Sequence, residues 1–273
     1  MDLSMAPPRG NSEISIRGVD KIFATGGREV VALKGIDLEI PRGQFVCLLG
    51  PSGCGKSTLL NAMAGFSGPT RGTVVASGQQ VTRPGPERGM VFQEYALFPW
   101  MTVEGNVAFG LELKGLPRAE ITTRVDALLQ TLGLIEFKAR YPKDLSGGMR
   151  QRVAIARVLA LDSPILLMDE PFGALDALTR RTLQDELIRL WAEFRKTIVF
   201  VTHSIEEAIY LADRIVVMTF RPGTIKRDIT VTIPRPRDTA APEFNALKRE
   251  LTTLVMEEQA RYSAAERASA AVD

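Results

Sequence analysis

The sequence predicts an α/β fold built round a largely parallel sheet, and three observations carry that expectation. Four short apolar runs, QFVCLLG (44–50), PILLMDE (164–170), TIVFVTH (197–203) and RIVVMTF (214–220), lack the alternation of a half-exposed strand. Such runs suit strands covered on both faces. Helical patterns separate some of them: ALTRRTLQDELIRLWAEF places Leu183, Leu187, Leu190, Trp191 and Phe194 on one helix face. Shorter β-like runs, EISIRGVDKIF (13–23), VVALKGIDLEI (30–40) and GTVVASG (72–78), come first with turn residues between them, which predicts an antiparallel β portion near the start.

The remaining segments follow in order. Residues 1–12, with Pro7, Pro8 and Gly10 among polar neighbours, are expected to be disordered. Residues from about 94 to 161 hold no convincing strand. They contain the helical run RAEITTRVDALLQTLG, loops, and a second helix, MRQRVAIARVLA, and are expected to form a helical subdomain inserted into the α/β core. The main domain is expected to span 13–235. Residues 236–273 form a helical tail whose Phe244, Leu247, Leu251, Leu254 and Val255 share one face, which predicts packing on the core.

Composition narrows the function. The chain has 273 residues, 34 basic against 32 acidic, and a net charge of +2, too balanced for a protein that coats nucleic acid. No apolar run approaches the ~20 residues of a membrane span, and the N-terminus has no signal-peptide core, so work at a membrane would need another chain to supply the membrane part. The two cysteines, Cys47 and Cys54, show no disulfide-framework spacing, as expected for a reducing cytoplasm. A single histidine, His203, leaves little scope for a histidine metal site.

The first chemical motif is GPSGCGKST, between the run FVCLLG and the helical KSTLLNAMAG. It matches G-x-x-x-x-G-K-[ST], the phosphate-binding P-loop. Gly50, Pro51, Ser52, Gly53, Cys54 and Gly55 form the loop, whose glycines let the backbone wrap a phosphate so that successive N–H groups and a helix N-terminus face negative charge. Lys56 is placed to reach the β- and γ-phosphates, Ser57 to offer a hydroxyl to Mg²⁺, and Thr58 to bond a phosphate oxygen. Cys54 has two readings, an acidified thiol at a helix N-terminus or a small side chain that fits, and the second is favoured.

The second motif is ILLMDEP, an apolar run ending in two acids. In P-loop enzymes such a strand is expected beside the P-loop strand, with Asp169 near Mg²⁺ and Glu170 polarising the attacking water. His203 ends a further buried strand, where P-loop folds gather γ-phosphate contacts. The third motif is LSGGMRQR (145–152). Ser146, Gly147 and Gly148 stand before a helix, a second arrangement suited to an anion.

Taken in order, the P-loop, Gln93 after a strand in GMVFQEYALFPW, LSGGMRQR, ILLMDEP, GALDA and His203 resemble the nucleotide-binding subunit of an ATP-binding cassette (ABC) transporter, over residues 14–235. The resemblance implies a P-loop NTPase (ABC ATPase) core with an antiparallel β subdomain and an inserted helical subdomain. It implies two subunits that dimerise head to tail, so that Ser146, Gly147 and Gly148 of one bind the γ-phosphate of ATP held on the P-loop of the other. Two phosphate loops are needed because each nucleotide lies between chains. ATP and Mg²⁺ are the implied cofactors, with Ser57, Gln93 and Asp169 at the metal, and Glu170, His203, Gln93 and Lys56 in hydrolysis. Phe23 matches the aromatic that stacks on adenine, with a core role as the alternative. Asp176 matches a contact to the opposing subunit and also reads as a helix N-cap. Met149 departs from the family's usual glutamine, which puts any side-chain role at that position in doubt. EYALFPWMTV is unusually apolar; in the family this zone receives a helix of the membrane subunit, and local core packing is the other reading.

The stretches GPERGMVFQEYALFPWMTVEGNVAFGLELKG and RPGTIKRDITVTIPRPRD resemble the nitrate, sulfonate and taurine importer branch. That implies an ATPase peripheral to the cytoplasmic face of the inner membrane, serving permease subunits and, through them, an extracytoplasmic solute-binding protein, with no nucleic-acid partner. A cassette ATPase not coupled to transport and a P-loop small-molecule kinase are the rival readings. The first usually carries paired cassettes or coiled coils, and LSGG argues against the second.

Overall fold

Two sheets form the framework of the protein in a computed structural model, which describes residues 12–25 and 28–270. The N-terminal segment expected to be disordered lies outside the described residues except for Ser12, which pairs with Pro41 at the start of β1 (Ser12–Thr25). In chain order there follow β2 (Arg28–Pro41), β3 (Phe45–Leu49), α1 (Lys56–Ala64), β4 (Arg71–Ala76), β5 (Gln79–Gln80), β6 (Arg88–Val91), α2 (Val103–Leu113) and α3 (Arg118–Thr131). The second half holds α4 (Gly147–Ala160), β7 (Ile165–Asp169), α5 (Ala177–Phe194), β8 (Thr197–Thr202), α6 (Ile205–Leu211), β9 (Arg214–Met218), β10 (Ile225–Thr230) and α7 (Pro242–Ala270).

The smaller sheet is antiparallel, in the order β2-β1-β4-β5. The larger runs β10-β9-β3-β8-β7-β6, and only β10 is antiparallel to its neighbour. Every residue of β3 and of β8 is buried, which accounts for their unbroken apolar sequences. One expectation needs correction. β7, which ends in Asp169, does not lie beside the P-loop strand β3, because β8 stands between them. The buried β8 pairs on both edges, Val199 with Val46 on one side and with Leu167 on the other. The two carboxyl edges still converge, because the P-loop and α1 span the end of β8.

The sheet's interior is aromatic at its centre. Phe200 packs on Phe45 (ring centroids 6.0 Å) and on Phe172 (5.7 Å), and all three are fully buried. Phe45 meets Trp191 of α5 edge-on at 6.1 Å, and the Trp191 indole N–H donates to the Gly43 carbonyl at 3.0 Å. Leu183, Leu187 and Leu190 bury the predicted face of α5.

No strand falls between residues 94 and 161 among those described, and α2, α3 and α4 pack on one another there. α2 left no clear helical signal because Gly105 and Gly110 lower its propensity. Gly110 is required by packing: a Cβ there would come within 2.6 Å of Leu161. Asn106, fully buried, donates to the Phe98, Met101 and Thr102 carbonyls and accepts from the Phe98 N–H at 2.8 Å, fixing the turn that leads into α2.

α7 docks through the predicted face. Phe244 and Leu251 are buried, and Leu247, Leu254 and Val255 lean on the same core. The connection before it is held by arginines. The buried Arg237 donates to the Ile209 carbonyl at 2.5 Å and the Ala212 carbonyl at 2.7 Å, satisfying the C-terminal end of α6. Burial and the neighbouring Arg235 push its pKa down to about 10.

Phe200→Ala removes the ring shared by both aromatic contacts, and should lower stability by about 3–5 kcal/mol in urea unfolding. A loss under about 1 kcal/mol would show that the centre of the sheet repacks freely.

Candidate nucleotide site

The site begins where β3 ends. Gly50 lies so close to the Cys54 thiol and the Met218 carbonyl that a Cβ would meet them at 2.8 and 3.1 Å. Gly53 (φ +75°) and Gly55 (φ +103°) take the left-handed conformation, and at Gly55 a Cβ would also come within 2.7 Å of Leu33. The loop therefore turns back on itself and delivers the N-terminus of α1, which has no side-chain cap. Uncapped N–H groups and the helix dipole leave that end suited to an anion.

Lys56, nearly fully buried, donates from Nζ to the carbonyls of Gly50 (2.8 Å) and Pro51 (3.0 Å), so its charge is held within the loop by backbone oxygens. The Ser57 hydroxyl donates to Asp169 Oδ1 at 2.9 Å, linking the P-loop to the end of β7 across β8. Burial raises the Asp169 carboxyl above the usual aspartate range; the Ser57 hydroxyl opposes this, while Glu170 adds to it and Lys56 opposes it.

Glu170 is held in the left-handed region at φ +43°, a conformation that costs a non-glycine residue roughly 1–2 kcal/mol. Its N–H donates to the Val201 carbonyl at 3.1 Å and its carbonyl accepts from Gly173 at 3.1 Å. That geometry brings Glu170 Oε2 within 2.9 Å of His203 Nδ1. The Gln93 amide lies beside them: a Cβ built on Gly173 would be 3.8 Å from Gln93 Nε2 and 4.0 Å from Glu170 Oε2. His203 is kept in place by the ends of β8 and α6. Thr202 Oγ1 donates to the buried Glu207 and accepts from the Ser204 N–H at 3.0 Å, and Gln184 of α5 donates to Glu207 at 2.9 Å.

A cleft of about 250 Å³ opens over the P-loop. Phe23, Val30 and Ala32 of the antiparallel sheet form one wall. Phe23 is 41% exposed, which rules out a core role and leaves its ring, with Lys21 Nζ 5.1 Å from the centroid, facing the cleft. Ser52, Gly53, Gly55, Lys56, Ser57 and Thr58 form the floor, and Glu170 lies at the far end. The sequence reading missed one further lining residue, Arg221, whose Nε donates to the Gly53 carbonyl at 3.1 Å. A signal was present: Arg221 follows the run RIVVMTF, and the residue after a buried parallel strand next to β3 falls at the carboxyl edge where the P-loop sits.

Ser146, Gly147, Gly148 and Asp176 do not line this cleft. They gather elsewhere, at the adjoining first turns of α4 and α5. The Ser146 hydroxyl caps α4 by accepting from the Met149 N–H at 3.3 Å, and Asp176 caps α5 by accepting from Thr179 at 3.0 Å. The Thr179 bond holds the Asp176 carboxyl below its usual range. A Cβ on Gly148 would come within 2.7 Å of Thr179, and one on Gly147 within 3.1 Å of Leu175 and 3.3 Å of the Tyr95 hydroxyl. Met149 leans on the core, so its side chain packs rather than hydrogen-bonds.

Of the apolar segment after Gln93, Tyr95 and Leu97 pack against the core, whereas Trp100 is 69% exposed. The core-packing reading holds for Tyr95 and Leu97, and Trp100 is left on the surface. Cys54 is buried, and burial raises its thiol pKa against the pull of Lys56, so the small-side-chain reading stands. No group of three or more His, Cys, Asp or Glu side chains among the described residues is arranged to hold a metal by itself. The Ser57–Asp169 pair offers hard oxygens from one carboxylate and one hydroxyl, the kind of partial set that Mg²⁺ completes with phosphate oxygens and water.

Comparison with known proteins agrees with this geometry. The family model described as ABC transporter matches residues 33–173. The nitrate import ATP-binding protein NrtD of Synechocystis is 48% identical over 237 residues, 87% of this chain and 89% of that protein. The aliphatic sulfonates import ATP-binding protein SsuB of Bacillus cereus is 44% identical over 238 residues, covering 87% and 94%. Among solved structures, the ATP-binding cassette MJ0796, a dimer in a post-hydrolysis state bound to ADP and Pi, superposes with a TM-score of 0.71 at 34% identity, covering 80% of this chain and 98% of that one. With a P-loop joined to an acidic strand end, a separate Ser-Gly-Gly helix cap and this degree of likeness along most of its length, the chain belongs to the ABC transporter family.

Proposed function

We propose that this chain is the ATP-binding and hydrolysing subunit of an importer, driving uptake of a small solute of the nitrate, sulfonate or taurine type through a separate permease. The observation that carries the reading is the bond between Ser57 of the P-loop and Asp169 of the acidic strand end, with Glu170 on His203 one residue further on. The names of the nitrate and sulfonate relatives support the solute class. No helix among the described residues is long and apolar enough to cross a membrane, which fits a subunit seated on permease chains at the cytoplasmic face of the inner membrane. An extracytoplasmic solute-binding protein would deliver the solute to that permease.

The proposed division of labour assigns residues 13–235 to the ATPase domain, about 94–161 to its helical subdomain, and 236–273 to a helical tail. Gly50 to Gly55 wrap the phosphates with backbone N–H groups, Lys56 turns from its loop carbonyls to the β- and γ-phosphates, and Thr58 bonds the chain nearer the base. Phe23 stacks on the adenine. Ser57, Asp169 and Gln93 hold Mg²⁺, which when bound neutralises charge on the phosphate oxygens. In a head-to-tail dimer, Ser146, Gly147 and Gly148 of the opposing subunit close over the γ-phosphate, and Asp176 meets that subunit beside them. Both helix N-termini then face the same triphosphate, so ATP itself holds the halves together.

Hydrolysis rests on placement and charge. Glu170 accepts a hydrogen bond from the attacking water and polarises it, and its left-handed backbone aims it there. His203, bonded to Glu170, supports the charge that builds on the γ-phosphate. Trp100 and its aromatic neighbours supply an apolar contact for the permease.

Glu170→Gln should keep ATP binding, lower turnover by about 10²–10⁴-fold, and accumulate an ATP-bound dimer in light scattering. Near-normal hydrolysis would remove Glu170 from its role. Lys56→Ala should weaken ATP affinity by about 10–100-fold, and an unchanged affinity by calorimetry would contradict the P-loop assignment.

A further inference from the structure

We propose that Arg221 is a nucleotide-binding residue, a second cation on the phosphate chain beside Lys56, and that the C-terminal helix α7 sets its position through Glu258. This rests on the nucleotide cleft proposed above and extends it to a loop and a helix given no role there.

The loop after β9 is built against the P-loop. The Gly223 N–H donates to the Ala32 carbonyl at 2.9 Å and the Gly223 carbonyl accepts from Lys34 at 3.0 Å, so the loop is stitched to β2 next to the cleft wall. A Cβ on Gly223 would lie 2.2 Å from the Cys54 carbonyl, which is why this position carries none. Thr219 closes the loop on itself, its hydroxyl donating to the Pro222 carbonyl at 2.9 Å and accepting from the Thr224 N–H at 2.8 Å. At the tip, Arg221 spends Nε on the Gly53 carbonyl and lines the cleft. A guanidinium tethered by Nε keeps its two terminal nitrogens as donors, a fork that matches phosphate oxygens. Its anchor is a P-loop carbonyl rather than the Phe23 wall, which assigns it to the phosphates and not to the base.

The other side of the same loop is fastened to α7. Glu258, fully buried, accepts from the Phe220 N–H at 3.0 Å, the residue next to Arg221. Lys226 of β10 donates to Glu258 at 2.7 Å, to Glu257 at 2.7 Å and to the Leu254 carbonyl at 3.0 Å. Arg261 adds a contact at 3.2 Å, and the Phe220 and Tyr262 rings meet at 4.5 Å between centroids. A buried carboxylate with this many donors is costly to leave half-paired, so it fixes the loop to the helix tightly. α7 thereby reaches the nucleotide in three steps: Glu258, the Phe220–Arg221 backbone, and the guanidinium over Gly53. Anything that shifts α7 shifts a charge in the cleft.

The test is direct ATP and ADP binding by the full chain, read by calorimetry, without turnover. Arg221 is exposed, so Arg221→Ala should keep the wild-type melting temperature while weakening both nucleotides about tenfold and flattening the salt dependence of binding. Arg221→Lys should recover part of the loss. Glu258→Gln should weaken ATP binding in the wild-type background and add nothing in the Arg221→Ala background. A purely structural Glu258 would act equally in both, and that result would overturn the positioning claim. Should Glu258→Gln fail to fold, Tyr262→Ala provides the same pair of measurements from the loop's ring contact. Wild-type affinity and salt dependence in Arg221→Ala, with binding lost in Lys56→Ala, would overturn the role of Arg221 alone; retained binding in Lys56→Ala as well would overturn the cleft itself.

Discussion

The pairing of β3 with β8 and β9, and of β8 with β7, is the constraint on which the rest of the structure depends. These strands run parallel and in register, so their carboxyl ends finish on one edge. The residues at and beyond their ends, Gly50, Asp169 with Glu170, His203 and Arg221, arrive at that edge from four separate parts of the chain. Because the strands are buried on both faces, a slip of even one residue would send every side chain to the opposite packed face and shift the groups at the carboxyl edge out of alignment. The chemistry therefore inherits its precision from the hydrophobic register beneath it.

A second layer of order lies at the ends of helices. α1 begins without a cap, beside the cleft. α4 and α5 begin with caps, Ser146 and Asp176, that satisfy one N–H each and leave the others directed outward. Tyr95, in the left-handed region, lies against Gly147, and Arg157 of α4 donates to the Tyr95 and Ala96 carbonyls. The segment after Gln93 is thus tied to the helix behind Ser146 through a route that avoids the sheet.

Most of the fold was legible in the sequence because its core strands are pure apolar runs and its long helices carry a clean face. The strand β10 was not legible: IKRDIT is a charged edge, with no fully buried residue to leave a pattern. α2 escaped for the opposite reason, since its glycines serve packing at the expense of helical propensity. The order of strands was misjudged as well. Register and neighbour choice are long-range properties, and no local feature of TIVFVTH announces that it separates β3 from β7. At the site, residues inside motifs were visible because glycine, lysine and acid spacing is itself chemistry. Arg221 carried only the signal of its place after a buried run, and Glu258 none, because their meaning comes from a contact between loop, P-loop and C-terminal helix that spacing does not encode.

The glycine at 148 has a mechanical meaning beyond its backbone donors. By omitting a side chain it lets the first turn of α4 rest on the first turn of α5, with Thr179 against it. Two dipole ends that would otherwise be independent are locked at one separation, like paired contacts in a plug. The separation of these two helix ends is then decided by a single absent methyl group, and the helices must advance or retreat together.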